Sequence, residues 1–183
     1  PVSDERSLAN AREDFISVVN DGCLFMSYFG HSTQYRYDIG SVNNFADVEY
    51  MQQNLTNENK SPFALNYSCY SGQFALDVYG NGCIGEAMTG YSDNAGFVGI
   101  LASVDLTPIG TNYTHEPPNQ MRNGLMEYVI YNKFSHITGE YILQSRLGHN
   151  MMGMWIMNYF GDPALNIMAK GFEITENMTF PDG

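Results

Sequence analysis

The chain has 183 residues, 44% of them hydrophobic, and a net charge of −12 from 20 acidic against 8 basic side chains. That length and apolar content suit one domain with its own core and exclude a disordered chain. The acidic balance argues against nucleic acid as the partner, because phosphate binding needs a basic face; it fits cations or basic peptides, with plain solubility as the default.

Residues 4–19 read as an amphipathic helix with Ser3 as N-cap and Leu8, Ala11, Phe15, Val18 and Val19 on one face. Asp21-Gly22 ends it. Residues 23–29 are an apolar run with aromatic character, read as a strand buried on both faces. A polar loop carrying His31 follows, and Asn44 caps a short helix over 45–53. Asn57 to Pro62 is a loop by composition, and 63–68 is the next buried strand.

Gly80-Asn81-Gly82 is a turn, 83–90 a helix and 95–102 a third buried strand. Thr107 to Pro118 is a long Pro-containing loop, the kind of segment that lines sites. Helices are expected over 119–134 and 139–157, the second with Ile142, Leu143, Leu147, Met151 and Trp155 as its stripe. Its methionines read as core filler. Gly161-Asp162-Pro163 is a turn and 164–168 a last strand. Residues 171–183 read as a tail or linker towards a further domain.

Alternation of this kind implies an α/β fold with a mostly parallel sheet and helices on both faces. Ligands in such sheets sit beyond the carboxyl ends of the strands. His31 and Cys69 both fall at that edge, one crossover apart, so their strands should be neighbours. A thiol beside an imidazole is a base-activated nucleophile, and the same His can later protonate a leaving amine. The N–H groups of Cys69 and Ser32 are candidate donors to an oxyanion. Gly30 and Gly72 would let the backbone turn and a substrate approach. The plainer alternative is a buried small thiol and a strand-end His with no joint role.

The other reactive side chains fit less well. Cys23 begins its strand at the opposite edge, and Cys83 opens a helix with no His expected nearby; both read as core. An odd cysteine count leaves at least one free thiol, and no Cys/His spacing suits zinc. His115, His136 and His149 have no matching Cys at a strand tip. No apolar run reaches the roughly 18 residues of a membrane span. Pro1 opens the chain without an initiator Met, so it reads as a mature fragment or an excised piece whose lack of a signal peptide is uninformative. Asn66, one of five N-x-S/T sites with Asn54, Asn59, Asn112 and Asn177, lies inside a core strand, so the sites read as unused.

Several segments resemble the gingipain-type cysteine peptidases, peptidase family C25 of the caspase-like clan. Tyr28-Phe29-Gly30-His31-Ser32-Thr33 is similar to that family's His motif, and Leu65 to Phe74, around Cys69, to its Cys motif. Cys83-Ile84-Gly85-Glu86-Ala87, Gly96 to Ser103 and Asn158 to Leu165 resemble the family's following helix start, strand and closing Gly-Asp-Pro segment, in the right order. One departure is Ser32, where many members have Gly; a backbone N–H is still present there.

The resemblance implies a three-layer α/β/α sandwich of caspase-like type over residues 1–183. It implies His31 as general base and acid, Cys69 as nucleophile, and a polypeptide substrate. It also implies a bacterial protein, secreted or at the cell surface, of Bacteroidetes type and often exported by the type IX route. Gingipains carry an upstream subdomain, so an upstream part of the same protein is the expected partner. In this clan the loop after the third strand helps form the S1 pocket, so Asp105 could pair with a basic substrate side chain; its default role is to cap its own loop. No cofactor is implied. Gingipains bind calcium, so a structural calcium is compatible, though no EF-hand spacing occurs. Two further readings are a non-catalytic binding or secretion-linked domain on the same fold, and a sortase-like transpeptidase.

Overall fold

Phe63-Ala64-Leu65-Asn66-Tyr67 (β5) is buried at all five positions. A strand of that character is stable only inside a sheet covered on both faces. The computed structural model, which describes residues 5–39, 42–75, 80, 82–90, 95–107, 138–140, 142 and 156–166, puts it there. Before it come the helix Glu5–Asp21 (α1), the strands Phe25–Phe29 (β1), His31–Ser32 (β2), Arg36–Ile39 (β3) and Val42–Asp47 (β4), and the helix Val48–Asn54 (α2). After it come the helix Ile84–Gly90 (α3) and the strands Gly99–Ser103 (β6) and Met157–Gly161 (β7).

The main sheet has the order β1-β5-β6-β7. β1 and β6 flank β5 in parallel, and β7 runs antiparallel beside β6. The pairing is in register, with Met26 beside Ala64 and Ala64 beside Ile100. Period two then sorts the side chains. Ala64, Ile100 and Ala102 face one core, built with Ile16 and Val19 of α1, Met51 of α2 and Ile84, Ala87 and Met88 of α3. Phe63, Leu65, Leu101 and Met157 face the other way and are equally buried. Both faces are therefore covered, and the α/β sandwich expected from the sequence is the fold.

Several elements differ from expectation. The His31 segment is no loop: β2, β3 and β4 form a second, antiparallel sheet in the order β2-β3-β4. It consumes Phe45 and Ala46, expected in a helix, and packs them into the core. The helix starts later, at Val48, capped by Asp47 Oδ1, which accepts from Tyr50 N at 2.7 Å. In α1, Ile16 is buried where Val18 was expected, and Val18 faces out at 60% exposure. β1 starts at Phe25 and is only half-buried, being a sheet edge among the described residues. β6 starts four residues late because 95–98 form a turn: Gly96 (φ 110) is held by Asn57, which donates to its carbonyl at 2.7 Å and accepts from its N–H at 2.9 Å.

β7 ends on Gly161 and takes Met157 from the expected helix; of the strand expected over 164–168, Asn166 forms a β-bridge and 167–168 lie outside the described residues. The expected helix over 119–134, most of 139–157 and the tail from 171 lie outside the described residues. Asn66 is fully buried, so a glycan there is excluded by the fold. Among the described residues no helix is long and apolar enough to cross a membrane.

Cys83 sits at the start of α3, fully buried, and its N–H donates to Glu86 Oε2 at 3.1 Å. Burial pushes its thiol up to about 11, with the Glu86 charge adding to the effect. The unfolded thiol ionises near 9, so this group's stabilisation is complete below pH 9 and is lost as pH rises towards 11. Urea unfolding between pH 9 and 10 should therefore show a stability loss that is shallower in Cys83→Ala, by up to about 1 kcal/mol per pH unit. An unchanged slope would contradict this burial account.

Candidate active site

β1 and β5 end side by side, with Phe29 paired to Tyr67. Each reactive residue follows its paired position by two: His31 after Phe29, Cys69 after Tyr67. The sheet thus delivers both to one edge, as parallel pairing requires. The two chain segments are also tied directly, because Ser32 Oγ donates to the Cys69 carbonyl at 2.5 Å.

The His31 side is fixed by aromatic and hydroxyl groups. Tyr28 Oη donates to the carbonyls of His31 at 2.8 Å and Asp38 at 2.6 Å. Burial pushes the Tyr28 phenol up to about 12, so it stays a neutral donor at physiological pH. Its ring packs on Tyr37 with centroids 4.2 Å apart. Gly30 is explained here: a Cβ at that position would lie 2.7 Å from Tyr28 Oη, so only glycine lets the hydroxyl fold back over the turn. His31 itself is exposed and pairs with Asp38 across the hairpin.

The Cys69 side rests on a buried polar chain below β5. Asn66 donates to Tyr37 Oη at 3.0 Å and accepts from Ser68 Oγ at 2.6 Å. Ser71 Oγ donates to Ser68 O at 3.1 Å, and the Ser71 carbonyl accepts from Gly85 N at 3.0 Å at the start of α3. Each of these buried groups has a partner, as burial demands. Tyr70 takes a left-handed φ of 58, which bends the chain sharply right after Cys69. The bend is held by Tyr70 N donating to Asp105 O at 3.2 Å and Gly72 N to Ser103 O at 2.6 Å.

Gly72 is buried, and a Cβ there would meet the Ala102 carbonyl at 2.6 Å. Its smallness serves the close contact with β6. Asp105 is exposed, and its Oδ1 accepts from Leu106 N at 2.7 Å, the loop-capping contact expected by default. Cys69 is half-buried, and its sulfur accepts from Thr107 N at 3.4 Å and contacts Thr107 Oγ1 at 3.3 Å. Among the described residues the sulfur's hydrogen-bond partner is Thr107 and not His31.

Cys23 lies just before β1, at the opposite edge of the sheet, with its thiol raised by burial. Together with the buried Cys83 it belongs to the scaffold. His115, His136 and His149 fall outside the described residues. Among the described residues no three His, Cys, Asp or Glu side chains gather as a metal site. Tyr28, Asn66 and Thr107 were not foreseen as site residues; only the site-lining character of the loop opening at Thr107 signalled one of them.

The model of Peptidase family C25 matches residues 2–168. The chain belongs to this family. Solved structures with the same fold include the Arg-specific cysteine proteinase gingipain R (RgpB), at 23% identity and TM-score 0.62, covering 85% of this chain and 36% of that one. The complex of the Porphyromonas gingivalis RgpB pro- and mature domains matches at 21% identity and TM-score 0.65, with the same coverage. A third, a protease, matches at 14% identity and TM-score 0.58 over 82% of this chain and 36% of that chain. The chain therefore spans about a third of the length of these structures. No curated protein sequence matches it significantly.

The Ser32–Cys69 bond makes a checkable claim about this C25 edge. Ser32→Ala should cost about 1 kcal/mol of stability and speed amide exchange across residues 69–72. Unchanged exchange there would contradict a latch between the two segments.

Proposed function

We propose that this chain is the nucleophile-bearing part of a cysteine endopeptidase, with Cys69 as nucleophile and His31 as general base and acid. The observation that carries the reading is the register of β1 on β5, Phe29 beside Tyr67, with the Ser32–Cys69 bridge closing the gap beyond it. Membership of a cysteine peptidase family supports it.

In this mechanism His31 takes the Cys69 proton and the thiolate adds to the scissile carbonyl. The negative oxygen is held by the N–H groups of Cys69 and Ser32. His31 then protonates the leaving amine, and water hydrolyses the thioester with His31 again as base. The hairpin supports the Ser32 role. Thr33 N donates to Arg36 O at 3.0 Å, which marks 33/36 as a hydrogen-bonded pair. Ser32, paired with Tyr37 one step further, then has its N–H directed away from β3. Ser32 in place of glycine leaves that N–H intact and adds the hydroxyl latch.

The substrate class is polypeptide. Asp105, exposed on the loop after β6, is the group we assign to pairing with a basic substrate side chain. Gingipain R is described as Arg-specific; whether this chain shares that preference is tested by Asp105→Asn, expected to raise KM for Arg and Lys substrates selectively. Because the chain spans a third of its structural relatives, we assign the remainder of the fold to an upstream subdomain. We place the protein outside the bacterial cell or on its surface.

In the full-length protein, Cys69→Ala and His31→Ala should each lower kcat/KM on a peptide library by on the order of 10^4-fold or more. Equal turnover by wild type and Cys69→Ala would sink the proposal in favour of a binding domain that keeps the fold.

A further inference from the structure

The Ser32 latch holds the Cys69 carbonyl, and a different residue, Thr107, holds its sulfur. A thiol has one proton to donate and lone pairs to accept with. One acceptor site is taken by the Thr107 N–H at 3.4 Å, and the Thr107 hydroxyl lies 3.3 Å away. Thr107 is 7% exposed, so water competes little for that hydroxyl, and its partner among the described residues is the sulfur.

Thr107 is itself held in place. The loop from β6 is pinned by Val104 N on Ile156 O at 2.7 Å, and the Asp105 carbonyl accepts from Tyr70 N at 3.2 Å and Ser103 Oγ at 2.9 Å. The Cys69 turn and the β6 loop thus form one clamped unit with the sulfur inside it.

We propose that Thr107 is a positioning residue for the nucleophile: its N–H and hydroxyl both donate to Sγ and fix the sulfur's rotamer. The thiol's own proton is then the one left free to pass to His31. When it has passed, the same two donors face the sulfur anion, the form that attacks and that donor hydrogen bonds favour. The inference rests on Cys69 being the nucleophile, and it adds a residue that touches neither the scissile bond nor the base.

The test uses Thr107→Val and Thr107→Ser in the full-length protein. Valine keeps the shape and the backbone N–H but removes the hydroxyl; serine restores it. Two quantities are read: kcat and KM on a peptide substrate, and the rate of Cys69 alkylation by iodoacetamide, resolved by peptide-mapping mass spectrometry with Cys23 as internal reference. Thr107→Val should lower kcat about fivefold to tenfold with KM within about twofold, and slow Cys69 alkylation about threefold or more while Cys23 is unchanged. Thr107→Ser should restore both.

Wild-type kcat and alkylation in Thr107→Val would overturn the proposal. So would a Thr107→Ser that behaves like valine, since that assigns the effect to the methyl group's packing. If Thr107→Val fails to fold, Thr107→Ala makes the same deletion with less demand on packing and is judged by the same values. A wild type without turnover would overturn the peptidase reading alone, and the alkylation rates would still decide this one.

Discussion

Everything at this site follows from one pairing, the parallel, in-register contact of β1 with β5. Parallel strands must point their carboxyl ends the same way. Once Phe29 lies beside Tyr67, the residues just past them share an edge. The large Phe63, Leu65 and Tyr67 on one face of β5 and the small Ala64 on the other disfavour a shift by one residue, which would exchange the two faces. The hydrophobic core therefore sets the position of the chemistry.

Burial alone would leave the two tips loose. Polar groups tighten them: Tyr28 on the carbonyls of His31 and Asp38, Asn66 between Tyr37 and Ser68, Ser32 on the Cys69 carbonyl, and Thr107 on the sulfur. The two Asn66 bonds are buried, the Tyr28–Asp38, Ser32 and Thr107 bonds are part-buried and the Tyr28–His31 bond is exposed; where water is shut out, an unpaired partner is costly. The cost of breaking any one of them is what gives the edge a defined geometry. Two glycines have the same origin: Gly30 yields space to the Tyr28 hydroxyl and Gly72 to the Ala102 carbonyl.

The sheet strands were legible in the sequence because both-face burial writes continuous apolar runs, as in 63–67 and 99–103. The adjacency of the His and Cys segments was legible from one crossover between two such runs. The second sheet was not. β2 has only two residues, and β4 carries Asn43, Asn44 and Asp47, which read as cap and turn residues; Asp47 is held in the strand by its pairing with Arg36, while Asn44 keeps a left-handed φ of 66 at an irregularity of the β3–β4 pairing. β7 was hidden for a related reason, since Met157 ends a Met-rich run that reads as helix and the short Asn158-Tyr159-Phe160 stretch after it is drawn into a strand by pairing with β6. Thr107 was visible only as the start of a site-lining loop. Its contact with the Cys69 sulfur arises from the clamp between two loops that are 38 positions apart in the chain, which no local pattern encodes.

The central claim is that this edge presents Cys69 to a substrate carbonyl with His31 on one side and backbone donors on the other. A crystal structure of the full-length protein after reaction with a peptidyl chloromethyl ketone tests it most directly. The account predicts a single thioether on Cys69, the ketone oxygen against the N–H groups of Cys69 and Ser32, and the His31 ring beside the sulfur. An adduct on Cys23, or one on Cys69 with the His31 ring turned away from it, would contradict the account.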